Sequence, residues 1–305
     1  MKKKVAVSVG DLNGIGIQLA LENHTRICES VHPLYCIDTK MLEQVAQKLH
    51  LPIPNNFETL ENIAPYFDIK AGIVSKESGN YAYKSFAKAV DLADRKKVDA
   101  ICTLPIHKKA WELAGVQYKG HTDALRDFFN APAIMMLGCE KMYVALFTEH
   151  IALKDVASKI KEKELTHFLL DFYKTAKPTQ SVAVLGLNPH AGDDGVLGDE
   201  EIIIQKAIDN AHEILQIQIF TNPLVPDVAF TPNIRKKYSH YIAMYHDQGL
   251  APLKALYFDE GINVSLNLPI LRTSVDHGTA FDIAYKNIQL NHLSYINAIK
   301  YIENA

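Results

Sequence analysis

No apolar run in this chain approaches the roughly 20 residues that a membrane-spanning helix needs, so no transmembrane helix is expected. Basic residues are not massed anywhere. Lys and Arg total 32 against 35 Asp and Glu, a net charge of −3 scattered along the sequence, without the basic stripe of a nucleic-acid binder. The four cysteines, Cys28, Cys36, Cys102 and Cys139, are widely spaced with no Cys-x-x-Cys pair. Cys36 and Cys102 fall within apolar strand-like runs, so buried free thiols and a reducing cytoplasm are the expectation. The basic N-terminus leads into a short apolar run that turns at Gly10-Asp11, which reads as a first strand rather than a signal peptide. Internal repeats and low-complexity tracts are absent. So are the common nucleotide signatures. The first glycine turn is Gly10-x-x-x-Gly14-x-Gly16, neither the Gly-x-Gly-x-x-Gly of a Rossmann unit nor a Gly-Lys-Ser/Thr phosphate loop. A tight βα turn and a ligand-contacting loop both fit it.

What the chain does contain is alternation. At 305 residues and 48% apolar composition it can bury a large core, and two α/β lobes are expected. Strands are read at 4–9, 34–37, 100–103, 143–147, 182–187 and 241–244. Helices are read at about 17–29, 40–49, 83–95, 124–129, 165–173, 200–215, 280–286 and 293–303. Three of the apolar strands empty into polar segments that each carry one histidine: His150 after 143–147, His190 after 182–187 and His246 after 241–244. Carboxyl ends of strands are where open α/β sheets hold ligands. Three neutral imidazoles there could form a metal site with open positions, although no local His-Glu-x-x-His motif certifies it and a lone histidine is more often structural. Asp247 could orient such a ligand or accept a proton, or simply cap a loop.

A second set is cationic and polar: Lys108, His121, Thr122, Lys254, Asn263 and Arg272. Placed after apolar strands it suits a small anion bearing phosphate or carboxylate, with Thr122 read as the N-cap of the helix at 124–129. Arg272 and Lys254 stand out because their flanks are apolar. The third set is Ser274-Val-Asp276-His277-Gly278-Thr279-Ala-Phe-Asp282, a small-residue loop opening a helix that Thr279 could cap.

Asn-Pro-His190-Ala-Gly, Tyr-His246-Asp-Gln-Gly and Arg272-Thr-Ser-x-Asp-His-Gly-Thr-Ala occur in this order, with Gly120-His-Thr122 and Gly10-Asp11 before them. Together they resemble the 4-hydroxythreonine-4-phosphate dehydrogenase family over nearly the whole length. The resemblance implies an isocitrate/isopropylmalate dehydrogenase-like α/β fold of two α/β/α lobes with a cleft between them. On this reading 1–124 plus 275–305 form the cofactor-side lobe, and 125–274 the lobe for metal, substrate and dimer contacts. It further implies NAD or NADP bound without a Rossmann fingerprint, at Asp276, His277, Gly278, Thr279 and Asp282. One divalent metal would be held by His150, His190 and His246, with zinc favoured and magnesium, cobalt or manganese possible. A small phosphorylated amino-acid substrate would contact His121, Thr122, Lys254, Asn263 and Arg272, with Lys108 a weaker candidate. A cytoplasmic homodimer with its sites near the subunit interface is implied as well.

The implied chemistry is oxidation of a secondary alcohol followed by decarboxylation of the β-keto acid, with Asp247 or Lys254 as the base. Two other readings stay open: the same chemistry on a four-carbon sugar-acid phosphate, and a non-redox phosphate-ester metallohydrolase. The sequence departs from the family's usual pattern in three places. Leu12-Asn13 and Ile17-Gln18 stand where Pro-x and Pro-Glu are usual. Asp193-Asp194 stands where a glutamate is common. Tyr285-Lys286-Asn287 replaces Gly-Lys-Gly, a change that bears on nucleotide affinity more than on chemistry.

Overall fold

The computed structural model describes residues 2–286 and 288–305; Met1 and Asn287, the latter part of the Tyr285-Lys286-Asn287 departure, lie outside the described residues. The chain divides into two compact units. The first comprises Met1–Ala131, Ile262–Val264 and Leu268–Ala305, the second Pro132–Gly261 and Ser265–Asn267.

The first unit opens with β1 (Lys4–Ser8), α1 (Gly16–Ser30), β2 (His32–Cys36), α2 (Thr39–Leu49), β3 (Glu58–Thr59), α3 (Lys76–Asp94), β4 (Ala100–Thr103), α4 (Lys108–Leu113) and α5 (His121–Phe129). The second unit carries β5 (Ile134–Cys139), β6 (Met142–Leu146), α6 (Val156–Lys159), α7 (Glu162–Ala176), β7 (Ala183–Val184), α8 (Glu200–Leu215), α9 (Pro226–Ala229), α10 (Pro232–Arg235), β8 (His240–Ala243) and α11 (His246–Tyr257). Strand β9 (Ile262–Leu266) is divided between the units, and β10 (Leu271–Val275) and α12 (Leu293–Asn304) return to the first. No helix among the described residues is long and apolar enough to cross a membrane.

In the first unit the strands run β3-β2-β1-β4-β10, all parallel. Val5, Ala6 and Val7 are wholly buried, as are Ala100, Ile101 and Cys102. Strands apolar on both faces are what a parallel sheet covered by helices requires. At the end of β1 the chain turns at Gly10 in a left-handed conformation, φ +67°, and a Cβ there would stand 2.2 Å from the Pro105 carbonyl oxygen. The Asp11 N–H donates to that same carbonyl at 2.9 Å. Only glycine fits this approach, so the close-packing account of the first turn is met at Gly10.

In the second unit the order is β5-β6-β8-β7. β5 and β6 are an antiparallel hairpin, whereas β6, β8 and β7 run parallel. Met142, Val144 and Leu146 of β6 and Tyr241 and Ala243 of β8 pack with Leu250 and Leu253 of α11 in one buried cluster. Truncating either leucine to alanine would cost about 2–5 kcal/mol. Helix α11 can lie this close because Gly249 has no side chain: a Cβ there would meet Val144 Cγ1 at 2.4 Å.

Four local expectations are corrected. The stretch 246–254 is helix, not loop, because Leu250 and Leu253 recur at helical spacing on the buried face. Residues 280–286 are turns rather than helix, since Ala280 and Tyr285 take φ of 44° and 60°; Thr279 therefore caps nothing. Thr122 is the second residue of α5, whose N-cap is Gly120. Arg272 lies within a strand rather than in a loop. The strand β5 and the first two turns of α3, capped by Ser75 Oγ accepting from Ser78 N–H at 3.1 Å, were not anticipated.

Candidate active site residues

The three histidines leave the carboxyl ends of three adjacent parallel strands, His150 after β6, His246 after β8 and His190 after β7. Buried hydrogen bonds lace those ends together. Thr148 donates through Oγ1 to the Met244 carbonyl at 2.6 Å. Gln248 accepts the Met244 N–H at 2.7 Å and donates through Nε2 to the Gly186 carbonyl at 2.6 Å. Its one amide thus ties the His246 strand end to the His190 strand end.

His246 is the first residue of α11, and its Nδ1 lies 2.6 Å from Asp247 Oδ1. An N–H donated there leaves Nε2 as a lone-pair donor, the usual arrangement for a metal-ligating imidazole. The rings of His150 and His246 are 5.5 Å apart between centroids. Both line a pocket of about 310 Å³ with Glu149, Tyr245, Asp247 and the apolar Leu153. His190 is exposed, on a turn in which residues 190–194 all have positive φ. For each non-glycine residue that conformation costs roughly 1–2 kcal/mol. Glu201 anchors the turn's entry by accepting from the N–H groups of Leu187 and Asn188, each at 2.7 Å. Among the described residues no three His, Cys, Asp or Glu side chains are grouped closely enough to hold a metal ion. The structure pairs two of the three predicted donors and carries the third on a neighbouring strand end.

Lys254 is in the last turn of α11, two turns from Asp247 and on the same face, about 10 Å along the axis. Its ammonium lies 5.6 Å from the centre of the Phe258 ring.

In the first unit Arg272 is 2% exposed. Thr103 Oγ1 accepts from its Nη2 at 2.8 Å and from its Nε at 3.2 Å, and Asn263 Oδ1 from its Nη1 at 3.5 Å. Burial pushes the guanidinium down to about 10. Nearby, burial and then the charge of Arg272 hold the His121 imidazole well below its ordinary value, so it is neutral at pH 7. Its ring packs on Phe86 and edge-on to Trp111, and its buried Nε2 has no hydrogen-bond partner among the described residues. A desolvated cation, an unpartnered ring nitrogen and the N-terminus of α5, which begins at His121-Thr122, together suit an anionic group. Lys108 is exposed at the first position of α4.

The loop 276–282 is held at both ends. The Asp276 N–H donates to Ser294 Oγ of α12 at 3.0 Å, and the Thr279 carbonyl accepts the Ile15 N–H at 3.1 Å. Phe281 stacks on His107 at 4.9 Å. A Cβ on Gly278 would meet nothing within 4 Å, so the backbone there is open to a ligand.

A family model described as pyridoxal phosphate biosynthetic protein PdxA matches residues 29–302. The chain belongs to this family. The 4-hydroxythreonine-4-phosphate dehydrogenase of Sulfurimonas denitrificans is 61% identical over 299 residues, 98% of this chain and 96% of that protein. The crystal structure of a 4-hydroxythreonine-4-phosphate dehydrogenase from Burkholderia phymatum matches with a TM-score of 0.82 at 30% identity, covering 99% of this chain and 98% of that one. A β-decarboxylating dehydrogenase from Thermococcus kodakarensis, 14% identical, shares the fold at a TM-score of 0.53, covering 99% of this chain and 82% of that one. The PdxA-family chain is thus an oxidoreductase of pyridoxal phosphate biosynthesis on the expected fold. An NAD-type cofactor and a divalent metal are consistent with a dehydrogenase of this kind.

Sequence reasoning missed the side chains that hold the site residues. Thr103 and Glu201 carry no local signal. Gln248 sat inside the quoted Tyr-His-Asp-Gln-Gly segment without an assigned task.

Proposed function

We propose that this chain catalyses the NAD- or NADP-dependent, divalent-metal-dependent oxidative decarboxylation of 4-phosphooxy-L-threonine to 3-amino-2-oxopropyl phosphate and carbon dioxide. The observation that supports this most is the set of three parallel neighbouring strands whose carboxyl ends send out His150, His246 and His190. The donor chemistry suits a divalent ion: imidazole nitrogens, that of His246 oriented by Asp247, with His190 as the third donor that would have to move in from the neighbouring strand end. Zinc is favoured over magnesium or manganese because the donors are all nitrogen, and cobalt would be held by the same set. When bound, the ion supplies Lewis acidity toward the substrate's hydroxyl and toward the charge that develops as carbon dioxide leaves, and the nicotinamide accepts the hydride.

The residues do the rest. Arg272, His121, Thr122 and Asn263, with Lys254 and the more exposed Lys108, take the phosphate and carboxylate and fix the substrate's orientation. The hydroxyl proton goes to Asp247 or Lys254 as the hydride leaves the same carbon for the nicotinamide. In the second stage the carbon–carbon bond to the carboxylate breaks, carbon dioxide departs, and the electron pair left on the amino-bearing carbon takes up a proton to give the product ketone. Asp276, His277, Gly278, Thr279 and Asp282 receive the nucleotide, where Gly278 leaves the backbone open. The proposed assembly is a cytoplasmic homodimer with these residues near the subunit interface, and sedimentation of the purified chain tests the dimer.

The deciding assay follows NADH absorbance with 4-phosphooxy-threonine beside threonate 4-phosphate, before and after chelation and metal add-back. Metal-restored turnover of the amino acid is the expected result. Preference for the sugar acid would reassign the substrate and keep the residues. No NADH from either substrate, with metal and nucleotide present, would overturn the dehydrogenase assignment and point to phosphatase assays.

A further inference from the structure

Three segments far apart in sequence meet around the first glycine turn of the first unit, and one half-buried side chain fastens the loop that would receive the nucleotide. Tyr285 donates its hydroxyl to the Leu12 carbonyl at 2.7 Å. It does so from a left-handed backbone, φ 60°, which disfavours any residue with a Cβ and is normally the place of glycine. A tyrosine persists in such a conformation only where its surroundings hold it. Here the ring is half-buried and the hydroxyl is bound. Burial, and then the nearby Asp11 charge, pushes the phenol far above its ordinary value, so the hydroxyl remains a donor at any working pH.

The turn that Tyr285 grips is itself tied down. Asn13 accepts the Lys70 N–H at 2.9 Å and donates through Nδ2 to the Ile73 carbonyl at 2.7 Å, while its own carbonyl accepts the Gly72 N–H at 2.8 Å. Asp11 accepts from the Asn13 N–H at 3.0 Å and from the Ser78 hydroxyl at 3.1 Å. On the other side, the Thr279 carbonyl accepts the Ile15 N–H at 3.1 Å. The segment 279–285 is therefore pinned at both ends to the 11–15 turn, and the turn to 70–73.

We infer that Tyr285 is a positioning residue for the nucleotide: its hydroxyl, closing on the Leu12 carbonyl, holds the 276–282 loop in its receiving conformation before the nucleotide arrives. This rests on the nucleotide role proposed for that loop. A preorganised loop loses less conformational freedom on binding, so the latch acts on affinity and not on hydride transfer. The departures at Leu12-Asn13 and at Tyr285 then belong to one device.

The test is Tyr285→Phe in the full-length chain, which removes the hydroxyl and keeps the ring. Two readouts are taken: calorimetric titration with NAD, and amide hydrogen exchange of the nucleotide-free protein. The expected result is a Kd for NAD raised about 2- to 10-fold, the effect of one net hydrogen bond. Faster exchange at 12–16 and 279–286, and kcat retained at saturating nucleotide, should accompany it. Asn13→Ala, which removes the two side-chain bonds to 70–73, keeps the backbone bond to Gly72 and leaves Tyr285 intact, should shift Kd in the same direction and covers the case that Tyr285→Phe folds poorly. An unchanged Kd in variants that fold, with NAD bound normally by the wild type, overturns the latch alone. A fall in kcat with Kd unchanged also overturns it, because the hydroxyl would then act in the chemistry. A wild-type chain that binds no NAD overturns the nucleotide role of the loop first and the latch with it.

Discussion

Replacing Asp11 by asparagine should make the protein more stable at neutral pH and leave it unchanged in acid. Asp11 is completely buried, its carboxylate accepting the Asn13 N–H and the Ser78 hydroxyl. Burial outweighs both bonds and raises its pKa from 3.8 to about 6. The sign follows from proton counts. Between pH ~4 and ~6 the folded chain holds this proton and the unfolded chain has released it, so stability falls as pH rises through that window and is level above it. A shift of about two units corresponds to a penalty of about 3 kcal/mol above pH ~6. Asparagine keeps an oxygen for Asn13, offers an N–H to Ser78 and cannot ionise. The variant should gain up to about 3 kcal/mol near pH 8 and almost nothing near pH 4. The chain's single tryptophan, Trp111, is buried in the same unit, so its fluorescence in urea titrations reports the right transition. A gain of equal size at both pH values would refute the burial account. A loss at pH 8 would mean that the fold stabilises the carboxylate charge.

The anion seat and the histidine set allow two sharper tests. Arg272→Lys removes the planar fork that spans Thr103 and Asn263; kcat/KM for the phosphorylated substrate should fall about 100-fold or more, and inorganic phosphate should lose its power to compete. Retention of phosphate inhibition in that variant would take Arg272 out of the substrate site. Gln248→Leu keeps the volume of the side chain but cuts both bonds between the His246 and His190 strand ends. Its cobalt affinity, read from the visible spectrum of the metal, should drop about 10- to 100-fold. Wild-type affinity would show that the strand ends hold their histidines without this amide.

Much of the fold was legible because it is written locally. β4 and α8 were read at their observed limits and α1, α2 and α12 within a residue or two, since apolar spacing and β-branched runs need no partner to be recognised. The histidines were legible for the same reason: each follows a short apolar strand. The helix α11 was hidden by its composition. His246, Asp247, Gly249 and Pro252 all read as loop, and only packing on β6 makes Gly249 an asset there. The segment 280–286 erred the other way, as small and apolar residues that suit a helix are bent out of one by positive φ at Ala280 and Tyr285.

The supporting side chains lie beyond local reading altogether. Thr103 meets Arg272 across 169 residues, Gln248 meets Gly186 across 62 and Tyr285 meets Leu12 across 273. No periodicity links such pairs, yet they decide whether a histidine or an arginine has one orientation or many. The turn 190–194 makes the point most plainly. Asn-Pro-His-Ala-Gly-Asp-Asp identifies the segment, but nothing in it demands left-handed backbone at five successive residues, four of them with a Cβ. What sustains it comes from α8: Glu201 on the N–H groups of Leu187 and Asn188, and Glu200 on the Asn188 amide at 2.7 Å. A ligand carried on so strained a turn is adjustable in a way that His246, fixed at the head of a packed helix, is not. On the metal role proposed for it, His190 is the donor whose position should respond most to the choice of ion.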